Sequence, residues 1–433
     1  MKYAKLARLL TRTVMTGTLA CGAIGAGVSA VVMDSGTAYA AGTTRYVGAS
    51  VGSDTSCSSP GYTTVQTAVD AASAGDRIYL CGTTPFAEQV IITKSVTLTG
   101  EPGATIAAPN PWVPSADSLP PQFASDNLFA PQAIVMAWGH GVHVTIRGLT
   151  IMGTLPGNGG CAEQEFGIVV IDGASASITR DAVTDIRDAN PGLYGCQFGV
   201  GILVGREYWP TSDFSSTPVE DFVGTAMISR TAVSGYQKAG IVVDGPGSSA
   251  TVSDNKVTGA GPSGALGTTI AQNGVQMSRG ASGRISGNTV SANQYSGPNN
   301  AADGGVLLFG GCGDPLVRNV TVTANTLTDN DVGVYLSNSN PACAAAPRTR
   351  TNDIVTKNQI ASSGVTNVSG FSASPLCGYQ AGVSDLGNHD AITYNDIDGV
   401  GYLKHPSCTT ARPYVTFRID TTGSISPIKY GNH

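Results

Sequence analysis

Apolar residues recur along this chain in short alternating runs, each opened by a glycine. Gly167-Ile-Val-Val, Gly201-Ile-Leu-Val, Gly240-Ile-Val-Val, Gly274-Val-Gln-Met, Gly305-Val-Leu-Leu and Gly333-Val-Tyr-Leu share the pattern, and Gly382-Val383 is a shortened seventh. The intervals are 34, 39, 34, 31, 28 and 49 residues. A second motif follows each run: an aliphatic, Ser or Thr, any residue, Asn or Asp, any residue, an aliphatic. It surrounds Asp181, then Thr231 in the Asn slot, then Asn255, Asn288, Asn325, Asn358 and Asn395. Alternation predicts strands. Two short strands per period of about 30 residues predict a solenoid, because one coil cannot bury its apolar face alone and stacked coils close a core.

The Asn positions predict an internal ladder. Asn tolerates the left-handed geometry of a turn, and stacked amides can bond the rungs above and below. Ahead of the repeats, Tyr62 to Gly75 places Val65, Ala68, Val69 and Ala72 on one helical face. A helix over about 63–74, capped by Thr63 or Thr64 and stopped at Gly75, would plug the open end of the first coil. Arg77–Cys81 and Glu88–Gly100 then supply the first strands.

With these motifs the chain resembles the right-handed parallel β-helix proteins of the pectate-lyase-like superfamily, over roughly residues 43 to 420. The resemblance implies an all-β fold: a right-handed parallel β-helix of about ten coils in a single domain, 41–433, with its clearest repeats over 141–400. It implies no particular activity. The paired Asp contexts of pectin methylesterases, the Asn-Thr-Asp set of polygalacturonases and the Trp-Ile-Asp-His of pectate lyases do not occur; Asp221-Phe222 and His140-Gly141 are isolated echoes.

Composition agrees with an exported β protein. Glycine is 56 of 433 residues and charged residues are 12%, about half the usual share. That excludes a long-helix protein or a polybasic nucleic-acid binder. Lys2, Lys5, Arg8 and Arg12 precede an apolar run that ends near Ala38-Tyr39-Ala40, so residues 1–40 read as a signal peptide. Beyond it the chain carries 20 Lys and Arg against 29 Asp and Glu, net −9. Cys21 leaves with the leader. Cys57, Cys81, Cys161, Cys196, Cys312, Cys343, Cys377 and Cys408 remain, an even set that suggests disulfides in an exported chain. The repeat favours sequential pairing. No Cys-x-x-Cys occurs, and no metal site is expected.

Candidate chemistry comes from stacking. The residues two before each motif glycine are Glu165, Gly199, Lys238, Gln272, Asp303, Asp331 and Gln380. In register they form one column at the edge of a strand, neighbours about 4.8 Å apart. Asp303 and Asp331 would then sit close, as a glycosidase acid pair or a Ca²⁺ site for a lyase, with Lys238 a candidate base. Glu165 and Gln272 would contact substrate, helped by Arg206 and by the loop aromatics Tyr208, Trp209 and Trp112, which can stack on sugar rings. The outward stripe Val169, Leu203, Val242, Gln276, Leu307, Tyr335 is too apolar for bare solvent, so a loop or a second subunit should cover it.

The function expected is that of a secreted, carbohydrate-active β-helix that cleaves polysaccharide as a hydrolase or lyase. The alternatives are a non-catalytic glycan- or cell-wall-binding β-helix and a structural solenoid or adhesin. No cofactor is implied beyond Ca²⁺ for a lyase. The partner is a polysaccharide, not nucleic acid or, once the leader is removed, a membrane. Net −9 predicts a neutral glycan, or an anionic one bridged by Ca²⁺.

Overall fold

A computed structural model describes residues 42–110, 131–155, 161, 164–208, 220–299, 301–368 and 377–433. The leader, Trp112 and Trp209 lie outside the described residues. Three long sheets run the length of the chain. Sheet A has twelve strands from Thr44–Val47 to Ile428–Tyr430, sheet B ten from Val90–Ile92 to Tyr414–Asp420, and sheet C ten from Phe86–Ala87 to Asp396–Asp398. The chain passes from A to C to B and back, and each strand pairs in parallel with its equivalent one coil on. Each coil therefore has three strands, not two. The Asn motif hides the third: it spans a strand of sheet A, a tight corner and a strand of sheet C, as in Ser249–Ser253 followed by Lys256–Thr258.

The core is built of stacked aliphatics. Ile78, Leu98, Ile146, Ile178 and Ile228 lie in register on sheet A and are fully buried. Val183, Val233, Val257, Val290 and Leu327 do the same on sheet C. Each contributes about 1.5–3 kcal/mol of burial. Glycine opens each sheet B run because the sheets converge there. A Cβ on Gly240 would lie 2.5 Å from Val257 Cγ1 and 2.7 Å from the carbonyl oxygen of Gly274.

The ladder forms and is longer than the motif shows. Asn255, Asn288, Asn325, Asn358 and Asn395 each donate from Nδ2 to Oδ1 of the next, at 2.9–3.0 Å, and Asn432 completes the series. The left-handed residue is not the Asn but the one before it: Asp254, Gly287, Ala324, Lys357 and Tyr394 have φ of 57°, 68°, 55°, 57° and 55°. That bend turns sheet A into sheet C and aims the following amide inward.

Helix α1 (Val65–Ala71) caps the first coil, with Val65, Ala68 and Val69 buried and Thr64 accepting from the Thr67 N–H. It ends at Ala72, short of Gly75. The cysteines pair sequentially: 57–81, 161–196, 312–343 and 377–408. Among the described residues no helix is long and apolar enough to cross a membrane.

Candidate functional site on sheet B

The polar column is in register. Phe166 pairs with Val200, Val200 with Ala239, Ala239 with Asn273, Asn273 with Gly304, Gly304 with Val332 and Val332 with Ala381, which aligns the residues one before each. The column is nevertheless internal. Glu165, Gln272, Asp303, Asp331 and Gln380 are all buried, and Arg206 is buried at the start of the short strand Arg206–Tyr208. The expected open edge is corrected here, and the reason is the glycine. At Gly240 the missing side chain and the next residue, Ile241, both face the core, so strict alternation breaks and the column turns inward.

Inside, the column anchors the connections from sheet C to sheet B. Gln272 accepts from the Ala260 N–H and donates to the carbonyls of Tyr236 and Gln237. Gln380 accepts from the Thr366 and Asn367 N–H groups. Asp331 Oδ2 accepts from the N–H of Tyr295 at 2.9 Å, the N–H of Asp303 at 3.2 Å and Asn367 Nδ2 at 3.1 Å. Half-buried Lys238 donates to the Ala271 carbonyl at 2.7 Å. Neither carboxyl oxygen of Asp303 has a hydrogen bond of ordinary geometry. Burial holds the Asp303 carboxyl well above the ordinary range and Asp331 adds to it, with the Gln272 backbone and Lys238 opposing. Burial also pushes Asp331 up to about 7, against the donors that face it, and pulls Lys238 down, with Asp303 opposing. The three expected catalytic groups do come together, but a carboxyl with 0% exposure meets no polymer unless the connections above it move.

Only the second half of the outward stripe faces solvent. Val169, Leu203 and Val242 are buried within the single chain, inside a satellite cluster with Trp138 and Phe166. From the next coil on, Gln276, Leu307 and Tyr335 are half-exposed, flanked by half-exposed Phe309 and Ser337. A polar chain borders the strip. Asn273 Nδ2 donates to Gln276 Oε1 at 2.9 Å, Gln276 Nε2 to Ser278 Oγ at 3.0 Å, and Ser278 Oγ to Asp244 Oδ1 at 2.8 Å. Asp244 also pairs with Arg279. Burial raises the nearby Asp314 carboxyl; Arg279 opposes and Asp244 adds. At the far end Tyr379 Oη lies 2.9 Å from Ser384 Oγ and 2.7 Å from Asp420 Oδ2. Burial and the Asp420 charge hold this phenol well above its usual range. Sequence alternation found the stripe. It missed Asn273, Asp244, Tyr379 and Asp420, which have no motif and meet only through sheet register. Among the described residues no three His, Cys, Asp or Glu side chains converge as a metal would need.

The family described as "Right handed beta helix region" matches residues 133–374. The chain belongs to that family. Several solved structures are similar to it. A pectate lyase, Pel9A, has 11% identity and TM-score 0.50, over 91% of this chain and 80% of its own. The Dettilon tailspike protein has 14% identity and TM-score 0.46, over 85% of this chain and 65% of its own. An alginate lyase from Paenibacillus sp. str. FPU-7 has 11% identity and TM-score 0.38, over 84% and 96%. At 11% identity the pectate lyase bears on the fold alone. No curated protein sequence matches the chain.

Proposed function

We propose that the protein is an exported β-helix that binds polysaccharide along the open half of sheet B. Export rests on the leader-like segment and the four disulfides. The observation that carries the binding reading is the half-exposed strip of Gln276, Leu307, Phe309, Tyr335 and Ser337 on a rigid sheet. Aromatic and aliphatic faces suit the apolar faces of sugar rings, and the amide and hydroxyl groups between them suit the ring hydroxyls. Because the strip is held by sheet pairing, little ordering is needed on binding. Carbohydrate is also the substrate class named for the pectate lyase of the same fold.

Cleavage is a second reading, favoured by one observation. Asp314, raised by burial, lies beside the Asp244–Arg279 pair at the border of the strip, where a protonated carboxyl could act as a general acid. Affinity electrophoresis on a polysaccharide panel tests binding, and reducing-end and unsaturated-product assays test cleavage. Tyr335→Ala should weaken binding about tenfold, the loss of one aromatic contact, and should also lower Tm, because the ring packs against the buried cluster of Val332, Tyr379 and Val415. Retention of no polysaccharide, or full affinity in Tyr335→Ala, would overturn the reading.

A further inference from the structure

The distribution of charge around sheet B names the class of glycan. Of its ten strands only the last, Tyr414–Asp420, contains a lysine or arginine, Arg418. Sheet A differs: Arg45, Arg77, Arg147, Arg284 and Lys429 all lie in its strands. The connections that enter sheet B from sheet C are as poor in cations. Up to residue 398 they hold one, Lys238, and its ammonium is bound to the Ala271 carbonyl beside Asp303. On the opposite border Arg279 is paired with Asp244, and Arg318 donates to the Arg350 carbonyl. The row in register runs Gln276, Leu307, Tyr335, Ser384, Asp420, neutral until it ends in an acid; Ser384 is buried, so its half-exposed stretch is Gln276, Leu307 and Tyr335. Two rung spacings make that stretch about 10 Å long.

A polyuronate carries a charge on every sugar. Binding it takes a cation per few carboxylates, by charge-assisted hydrogen bonds of the Arg–carboxylate kind, or bridging metal ions. The row offers neither, and the chain beyond the leader is net negative. Resting on the polysaccharide-binding reading, we infer that the ligand of sheet B is an uncharged glycan. Its hydroxyls are met by the Gln276 amide and the Tyr335 hydroxyl, and its apolar faces by Leu307 and the Tyr335 ring. This separates the chain from the pectate- and alginate-acting proteins whose fold it shares.

Affinity electrophoresis of the full disulfide-bonded chain against a neutral set (β-glucan, mannan, xylan) and an anionic set (polygalacturonate, alginate) decides it, run with chelator, with Ca²⁺ and at two salt concentrations. The expected result is retention by a neutral polymer, unchanged by salt or chelator, at least about tenfold tighter than by either uronate at low ionic strength. Gln276→Lys should narrow that ratio by strengthening uronate binding. Uronate binding that persists in chelator, or that appears only with Ca²⁺, overturns the uncharged class and leaves the binding reading standing. Retention by no polymer overturns both.

Discussion

The backbone N–H of Asp303 donates to Asp331 Oδ2 at 3.2 Å, while the carboxyl of Asp303 itself, one rung away and fully buried, lacks a hydrogen bond of ordinary geometry. One acid of the pair organises the connections around it, and the other is opposed in its burial only by the Gln272 backbone and Lys238. That asymmetry is structural first. Removing Asp331 orphans donors on Tyr295, Asp303 and Asn367 together, so Asp331→Ala should destabilise strongly, where an open-edge acid would have been replaceable.

The buried acids should make the fold more stable in mild acid. Asp181, Asp331 and Asp390 are each raised from 3.8 to about 7, mainly by burial. Below 3.8 both folded and unfolded states hold the proton, and the contribution is fully present. Between 3.8 and about 7 only the folded state holds it, so stability falls as pH rises; above that range the contribution is gone. Urea midpoints should therefore be higher at pH 5.5 than at pH 8.5. Asp303→Asn should raise the pH 8.5 midpoint, by on the order of 1–3 kcal/mol, and flatten the profile. A midpoint that rises with pH would contradict this account.

The ladder predicts a gradient along the helix. Asn325 accepts from the N–H and Nδ2 of Asn288 and donates to Asn358 Oδ1 and the Ile285 carbonyl, all in a buried corner. Asn325→Ala leaves several of these groups unpaired and should cost about 2–4 kcal/mol. Asn432 makes equivalent bonds to Asn395 but is half-exposed. There water replaces the lost partners, and Asn432→Ala should cost about 1 kcal/mol or less. Equal losses at both sites, measured by urea midpoint, would count against a burial-dependent ladder.

Helix α1 depends on a residue far from it in sequence. Glu88 Oε1 and Oε2 accept the N–H groups of Val65 and Gln66 at 2.7 and 2.9 Å, at the helix start. Glu88→Ala should destabilise by about 1–2 kcal/mol, the loss of a charged cap. Hydrogen exchange at Val65 and Gln66 should quicken, while exchange in the central coils stays unchanged. Uniform acceleration along the chain would mean the plug and the solenoid unfold as one.

Much of this fold is legible because it repeats. Spacing exposed the repeat of coils and the ladder from Asn255 to Asn395 and favoured the sequential disulfides, since stacking turns sequence period into register, but it showed two of the three strands in each coil. The candidate site was legible only in part. Gln276, Leu307 and Tyr335 show as an outward stripe because each lies two residues after its coil's glycine. Glu165, Gln272, Asp303 and Asp331 were misplaced because at that same glycine the alternation breaks, so period-two counting across it inverts the faces. Glu88, Tyr379 and Asp420 carry no periodic signal, and their partners are set by three-dimensional contact alone.

The corner before each ladder residue offers the last prediction. Ala324 has φ of 55° and is exposed, so it holds left-handed geometry with no packing in return. For an L-residue that geometry costs about 1–2 kcal/mol. Glycine removes the strain but adds unfolded-chain entropy, about 0.5–1 kcal/mol in the other direction. Ala324→Gly should thus be neutral to stabilising, by up to about 1 kcal/mol. The reverse change one coil earlier should show the opposite sign. Gly287 has φ of 68°, and a Cβ there would approach Asp254 Oδ1 at 2.5 Å, so that side chain must also move. Gly287→Ala should cost about 1–2 kcal/mol. Both changes leave Asn288 and Asn325 in place, so urea midpoints that moved in the same direction would show that the corner's strain is not what separates the two coils.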